Sequence, residues 1–439
     1  MKPQVRIIGA GFAGCEAALY LAGRGISSEL IEMKPGHYSP AHRSPLFAEL
    51  VCSNSFKAMR KESASGLMKE EMRILGSHLL PLADGCAVPA GGALAVDRDM
   101  FSKAVTDEVL SNPLITVVRR REESIDRSIL EIIAAGPLLD GPLAADLASV
   151  TGGFLSFYDA AAPIVLAESL DMGKLVPQSR YGRGGDSDYL NSFLKKDEYE
   201  KFIDELVHAR RAELHAPDRD EKVYEGCMPI EKLASRGLDA ARFGPMKPVG
   251  LRDPSTGHRP WAAAQLRKEN TAGTMYNLVG FQTNLAFPEQ RRVFRMLPGL
   301  EEAEFVRYGV MHRNSFLDAP KCLSGDLSLR ASPLSFAAGQ LTGFEGYMES
   351  ALSGLMAARA VECRIEGKTF KVPPEDTMTG AMMKYIRTPN SDFQPMGANM
   401  GLLPPLGVRE KNKARRYGML ADRALRSISR YAENGGITE

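Results

Sequence analysis

The chain has 439 residues, 44% of them apolar, with 55 Lys and Arg set against 54 Asp and Glu. That length holds two or three domains with substantial cores, and the scattered aliphatics exclude a disordered polymer. No apolar run approaches the roughly 18 residues of a membrane span, and a formal net charge of +1 excludes a uniformly basic, sequence-blind binder of polyanions.

Val5-Arg6-Ile7-Ile8 is a short β-branched run with a charge inside it, which reads as a first strand rather than an export signal. Gly9 to Gly14 follow at once, then helical spacing from Cys15 to Ala22 and a second strand, Leu30-Ile31, ending in Glu32. Between Pro35 and Gly92 the pattern is irregular, with one amphipathic helix over 64–75. A helix over 97–110 opens on Asp97, and strands are expected at 115–118 and 130–133, the latter running into Ala134-Ala135-Gly136-Pro137. Residues 151–320 alternate in short aromatic-rich runs (154–158, 276–279, 305–308) that predict antiparallel strands, with a charged helix over 196–214. From Leu334 the earlier pattern returns: a strand at 335–338, then Gly339 and Gln340, then Gly343 to Gly346 leading into a small-residue helix over 347–361. A basic helix over 409–430 closes the chain.

Gly9-Ala10-Gly11-Phe12-Ala13-Gly14 has a strand before it, a helix after it and an acid, Glu32, about twenty residues on. Each part has a physical task in dinucleotide binding. Gly9 permits the tight turn, Gly11 lets backbone approach a pyrophosphate, Gly14 lets helix and strand pack closely, and Glu32 can accept from a ribose hydroxyl. The N-terminal position of this motif, with Gly339, Gln340, Gly346 and Tyr347 closing the same site from the far end, resembles the two-dinucleotide flavoproteins. That resemblance implies FAD. It also implies an α/β architecture: a Rossmann-like FAD-binding domain of the glutathione-reductase type in two parts (1–150 and 326–439), with a large inserted α+β domain at 151–325. No second GxGxxG exists, so NADPH or NADH would visit the flavin transiently.

The six cysteines form no CxxC pair, which argues against zinc and disulfide frameworks and for a reducing cytoplasm; no metal and no membrane partner are expected. Two of them stand in distinctive surroundings, Phe47-Ala48-Glu49-Leu50-Val51-Cys52-Ser53-Asn54-Ser55 and Glu225-Gly226-Cys227-Met228-Pro229-Ile230-Glu231. With the segments 89–98, 243–251 and 308–314, these blocks resemble the folate- and FAD-dependent tRNA (uracil-5-)-methyltransferases, relatives of a flavoprotein that modifies wobble uridines. The match runs in order over roughly residues 5–425.

The resemblance implies transfer of the one-carbon unit of 5,10-methylenetetrahydrofolate to C5 of a T-loop uridine in tRNA, with FAD as cofactor and NAD(P)H as reductant. Uracil C5 is a poor nucleophile until a thiolate adds at C6, and a base must later take the C5 proton. Two thiols from separate domains can divide those roles, and by resemblance Cys52 and Cys227 do so, in an order that sequence leaves open. Cys15, Cys86, Cys322 and Cys363 read as packed, inert thiols. His312 and Arg313 can hold folate or the uracil edge, or make ordinary structural hydrogen bonds. From Arg409 to Arg430 there are eight basic and two acidic residues, so the neutral chain carries one strongly basic helix. Arg415 and Arg416, beside Tyr417, are its candidate RNA contacts. A ribosomal RNA target, or a flavin oxidoreductase acting on a small molecule, are the alternatives.

Overall fold

The computed structural model describes residues 3–182, 184–185, 188–212, 228–435 and 437–438. The first strand, β1 (Val5–Ile8), lies between Glu131–Ile133 and β2 (Ser28–Glu32), with Ile115–Arg119 beyond β2 and Ser332–Ala337 beyond Glu131–Ile133. These five strands run parallel; the short Ser328–Leu329 edges the sheet antiparallel. Parallel sheets need both faces covered, which is why β1 and Glu131–Ile133 are almost continuously buried.

The helix α1 (Phe12–Gly23) connects β1 to β2 and is buried nearly all round, as a helix apolar on every face must be. Against it packs the helix Tyr347–Ile365. The small residues of that second helix have a steric cause. A Cβ on Gly354 would stand 2.1 Å from the Ala13 carbonyl oxygen, so only glycine lets the two helices approach this closely. Ala337 pairs in register with Ile133, and this pairing brings Gly339 beside the glycine turn from three hundred residues away in sequence.

The chain leaves this body and returns to it through a two-stranded antiparallel ladder, Leu155–Ala160 against Met311–Phe316. Between them lies a six-stranded antiparallel sheet in the order 175–177, 189–194, 262–268, 275–279, 164–166, 305–307. It has its own hydrophobic core, separate from the one built around β1 and α1. The helix Lys196–His208 covers that core with Tyr199, Phe202, Ile203 and Leu206.

Among the elements that differ from the sequence expectation, the region after Pro35 adds a helix, Leu79–Gly85, and a three-stranded sheet, and two helix ends shift. The charged helix stops at His208 rather than 214, because Ala209 is extended and Arg211 and Ala212 pair with Leu285 and Asn284. The basic helix spans Lys413–Glu433 and starts four residues later than expected, because the Asn412 side chain accepts from the Arg415 amide at 3.1 Å and caps it there. The helix opened by Asp97 is seen as expected, with the Asp97 carboxylate accepting from the Met100 amide at 3.1 Å. Among the described residues no helix is long and apolar enough to cross a membrane.

Candidate active site

A cavity of about 400 Å³ runs from the glycine turn, past Glu32, to the segment around Cys52 and the ladder 155–160/311–316. At its first end the three glycines do different things. Gly9 has φ +99°, and a Cβ there would meet the Ala134 carbonyl oxygen at 2.4 Å; on Gly14 it would meet the Gly9 carbonyl oxygen at 1.8 Å. A Cβ on Gly11 meets nothing within 4 Å, since it would point into the cavity. The first turn of α1 has neither a side-chain cap nor an acidic residue. Its amides and the positive end of its dipole are therefore available to an anion.

Glu32 is held by two amides, accepting from Ala10 and from Lys34 at 2.9 Å each. Both carboxylate oxygens keep a lone pair for a further donor. An open approach at Gly11, an uncapped helix and a fixed carboxylate fit the pyrophosphate and ribose of a dinucleotide. Ala10, Phe12 and Ala13 line the same end, whereas Gly14 lies beneath it as packing.

At the other end Gly339, Gln340, Gly346 and Tyr347 all line the cavity. The Tyr347 ring stacks on Phe12 with centroids 4.8 Å apart, and its hydroxyl accepts from the Cys52 amide at 2.7 Å. Arginines hold the Cys52 segment from two sides. Arg98 donates to the carbonyls of Leu50 and Cys52, and Arg307 of the inserted sheet donates to that of Val51. Arg267, also from the inserted sheet, donates to Asn54 Oδ1 and Ser53 Oγ at 2.9 Å.

The Cys52 thiol borders the cavity, with Sγ 3.8 Å from the Ala160 carbonyl oxygen. Its surroundings are dense enough that burial, seconded by the negative charge of Asp159, pushes it up to about 12. Arg98 and Arg307 pull the other way and are outweighed, so the thiol keeps its proton at neutral pH.

Directly opposite Asp159 in the ladder stands His312, and both face the cavity. The His312 Nε2 is buried without a hydrogen-bond partner among the described residues, and burial and Arg307 hold the ring below its usual range, hence neutral. Arg313, one residue on, is exposed and does not line the cavity; Asn314, two on, does. Cys227 lies outside the described residues. Three residues on in sequence, the Ile230 amide donates to the carbonyl of Gln282, a cavity residue, at 2.7 Å.

Arg415 and Arg416 are not brought to the cavity. Arg415 is exposed 3.9 Å from Glu410, and Arg416 and Lys413 flank the Tyr417 ring at 5.6 and 5.4 Å. The other described cysteines are buried; Cys15 donates to the Ala10 carbonyl at 3.3 Å. No group of three His, Cys, Asp or Glu side chains placed to hold a metal occurs among the described residues.

Sequence reasoning missed three acids at this end. Asp159 faces Cys52. Glu345, hydrogen-bonded by Gln340, is pushed up to about 8 by burial and then by Asp159. Glu349, 1% exposed, pairs with Lys57 at 2.6 Å. A carboxylate on the alternating strand before Ala160, and two more flanking the glycine before a helix, were the available signals.

The sequence model of the family described as glucose inhibited division protein A matches residues 4–369. A protein of Geobacter sulfurreducens named methylenetetrahydrofolate--tRNA-(uracil-5-)-methyltransferase TrmFO is 52% identical over 435 residues, covering 98% of this chain and 99% of its own. One of the same name from Acetivibrio thermocellus is 50% identical over 433 residues, with 98% and 99% covered. The chain belongs to this family. Its fold is that of GidA from Aquifex aeolicus, whose structure covers 99% of this chain with 74% of its own length matched, at a TM-score of 0.69 and 15% identity. TrmFO-family membership joins the glycine turn, the Cys52 segment and the inserted sheet in one protein.

Proposed function

We propose that this chain methylates C5 of a T-loop uridine in tRNA, taking the one-carbon unit from methylenetetrahydrofolate with FAD as bound cofactor and NADPH or NADH as reductant. The single observation that carries the reading is that one cavity joins a dinucleotide cradle to a cysteine held by arginines from two domains. Full-length relatives at about half identity bear the name of that reaction.

FAD, when bound, supplies the two-electron chemistry that turns a methylene into a methyl group. Gly9 to Ala13 and Glu32 hold its nucleotide part, and Gly339, Gln340, Gly346 and Tyr347 border the reacting end. Cys52 at the cavity and Cys227 of the inserted domain divide addition at C6 and removal of the C5 proton. Each step needs the acting cysteine as its thiolate, so Cys52, raised by burial and then by Asp159, must give up its proton before it acts. The neutral His312 ring offers a flat face and an unpartnered nitrogen to the pterin or the uracil edge. Arg415 and Arg416, with Tyr417 between cations, offer a phosphate-facing surface on the C-terminal helix.

The test is nucleoside analysis of unmodified tRNA incubated with holoprotein, labelled methylenetetrahydrofolate and NADPH. Labelled 5-methyluridine at a single T-loop position supports the reading; none at any position overturns it. Parallel reactions with ribosomal RNA, and with NADH, settle target and reductant.

A further inference from the structure

The inserted sheet carries a second concavity, of about 770 Å³, where the chain leaves the strand Leu175–Pro177 and the loop 250–259 crosses it. Gln178 and Ser179 form one wall; Arg252, His258 and Arg259 form the other. Arg252 and Arg259 are exposed and make no ion pair among the described residues. The acid of that loop, Asp253, is engaged locally, accepting from the Ser255 amide at 2.9 Å and its hydroxyl at 2.7 Å.

Arg180 adjoins this concavity, immediately after Ser179. Its Nε and Nη2 are buried and have no hydrogen-bond partner among the described residues, and burial holds its guanidinium below the usual range. A desolvated guanidinium without an acceptor is unfavourable, and such a group is retained where an anion arrives to satisfy it. The backbone beside it is strained in the same place: Tyr181 has φ +62°, with its amide donating to the Gly250 carbonyl at 3.2 Å.

The location ties this surface to the chemistry. The Gln178 amide donates to the Tyr189 carbonyl at 3.0 Å, Tyr189 pairs in register with Arg267, and Arg267 holds Ser53 and Asn54. The sheet end that bears the concavity is therefore the end that grips the Cys52 segment.

We infer that this concavity holds backbone phosphates of the RNA whose uridine enters the main cavity, with Arg252 and Arg259 as the phosphate contacts and the buried Arg180 guanidinium adding its charge from beside the wall. The inference rests on the proposed reaction and adds where the substrate is held. A wide, open hollow with a cation next to one wall and two on the other suits a chain bearing a charge at each nucleotide better than a single enclosed anion.

The experiment uses the holoenzyme and an unmodified tRNA transcript, with affinity measured across a salt series. The Arg252→Ala/Arg259→Ala double variant changes only exposed side chains. It is expected to bind about tenfold more weakly, with the log–log salt slope reduced by about 1.5, and to raise the KM for tRNA more than it lowers kcat. Arg180→Ala should act in the same direction and Arg180→Lys should restore part of the loss. Unchanged affinity and slope in the double variant overturn the inference. So does an unchanged tRNA affinity with a raised KM for polyglutamylated methylenetetrahydrofolate, which would assign these cations to glutamyl carboxylates. If the parent enzyme binds tRNA with the expected salt dependence but forms no 5-methyluridine, the reading of the reaction fails while the phosphate site stands.

Discussion

The hydroxyl of Tyr347 accepts a 2.7 Å hydrogen bond from the amide of Cys52, across 295 residues of sequence. The same ring stacks on Phe12 of the glycine turn. One side chain thus spans the dinucleotide cradle and the reacting cysteine. Tyr347→Phe should keep the stack and lose the bond, leaving a largely buried amide without its acceptor at a cost of about 1–3 kcal/mol. Flavin content should be retained and the rate of 5-methyluridine formation should fall. A variant with unaltered rate would separate the two sites.

Cys52→Ala should leave FAD bound and reduce methyl transfer by at least about a hundredfold, the range for loss of a positioned proton-transfer group. Cys15→Ala, which alters a thiol bonded to the Ala10 carbonyl, should affect stability before activity. The flavin absorbance spectrum and single-turnover transfer assays distinguish these outcomes, and a Cys52→Ala enzyme with full activity would contradict the assignment.

The glycines of the turn should separate in the same way. Gly14→Ala forces a Cβ to 1.8 Å from a carbonyl oxygen and should destabilise the protein even without cofactor. Gly11→Ala meets only open space, so the apoprotein should melt near the parent temperature while FAD affinity falls by about tenfold or more, since the methyl group takes space the pyrophosphate needs. Melting curves of apoprotein and flavin titrations check both.

Glu345 provides a pH signature. Its folded-state value, raised by burial and then by Asp159 to about 8, exceeds the ordinary 4.5. Between those values the folded chain holds a proton that the unfolded chain has released, so this group lowers stability progressively as pH rises. Glu16, Glu71 and Glu131, each pushed up to about 7, act in the same sense up to that pH. Glu345→Gln should therefore melt near the parent at pH 4.5 and roughly 3 °C higher at pH 8.5 in the apoprotein. Parallel melting profiles for the two proteins would refute the shift.

The opening of the fold was legible because its signals are local. β1, the glycine turn, α1 and Glu32 lie within one short stretch, and each is demanded by turn geometry or helix packing that neighbouring residues supply. The Cys52 segment could be singled out by its residue pattern, but nothing near it in sequence shows that Arg98, Arg267 and Arg307 hold it. Helix ends were misread where the deciding partner was a pairing with Leu285, or a cap at Asn412 that a continuous basic pattern concealed.

What the sequence determined alone was the dinucleotide cradle and a balanced charge that excludes a uniformly basic RNA binder. Those are properties of residue types at short spacing, and short-range sterics dictate them. Only the tertiary structure decided that burial, seconded by the charge of Asp159, raises the Cys52 thiol, that Arg313 turns away while Asn314 turns in, and that Arg180 Nε and Nη2 are left buried without an acceptor among the described residues. Those depend on strand register and on burial. Both are set by packing between segments up to hundreds of residues apart, which no local pattern encodes.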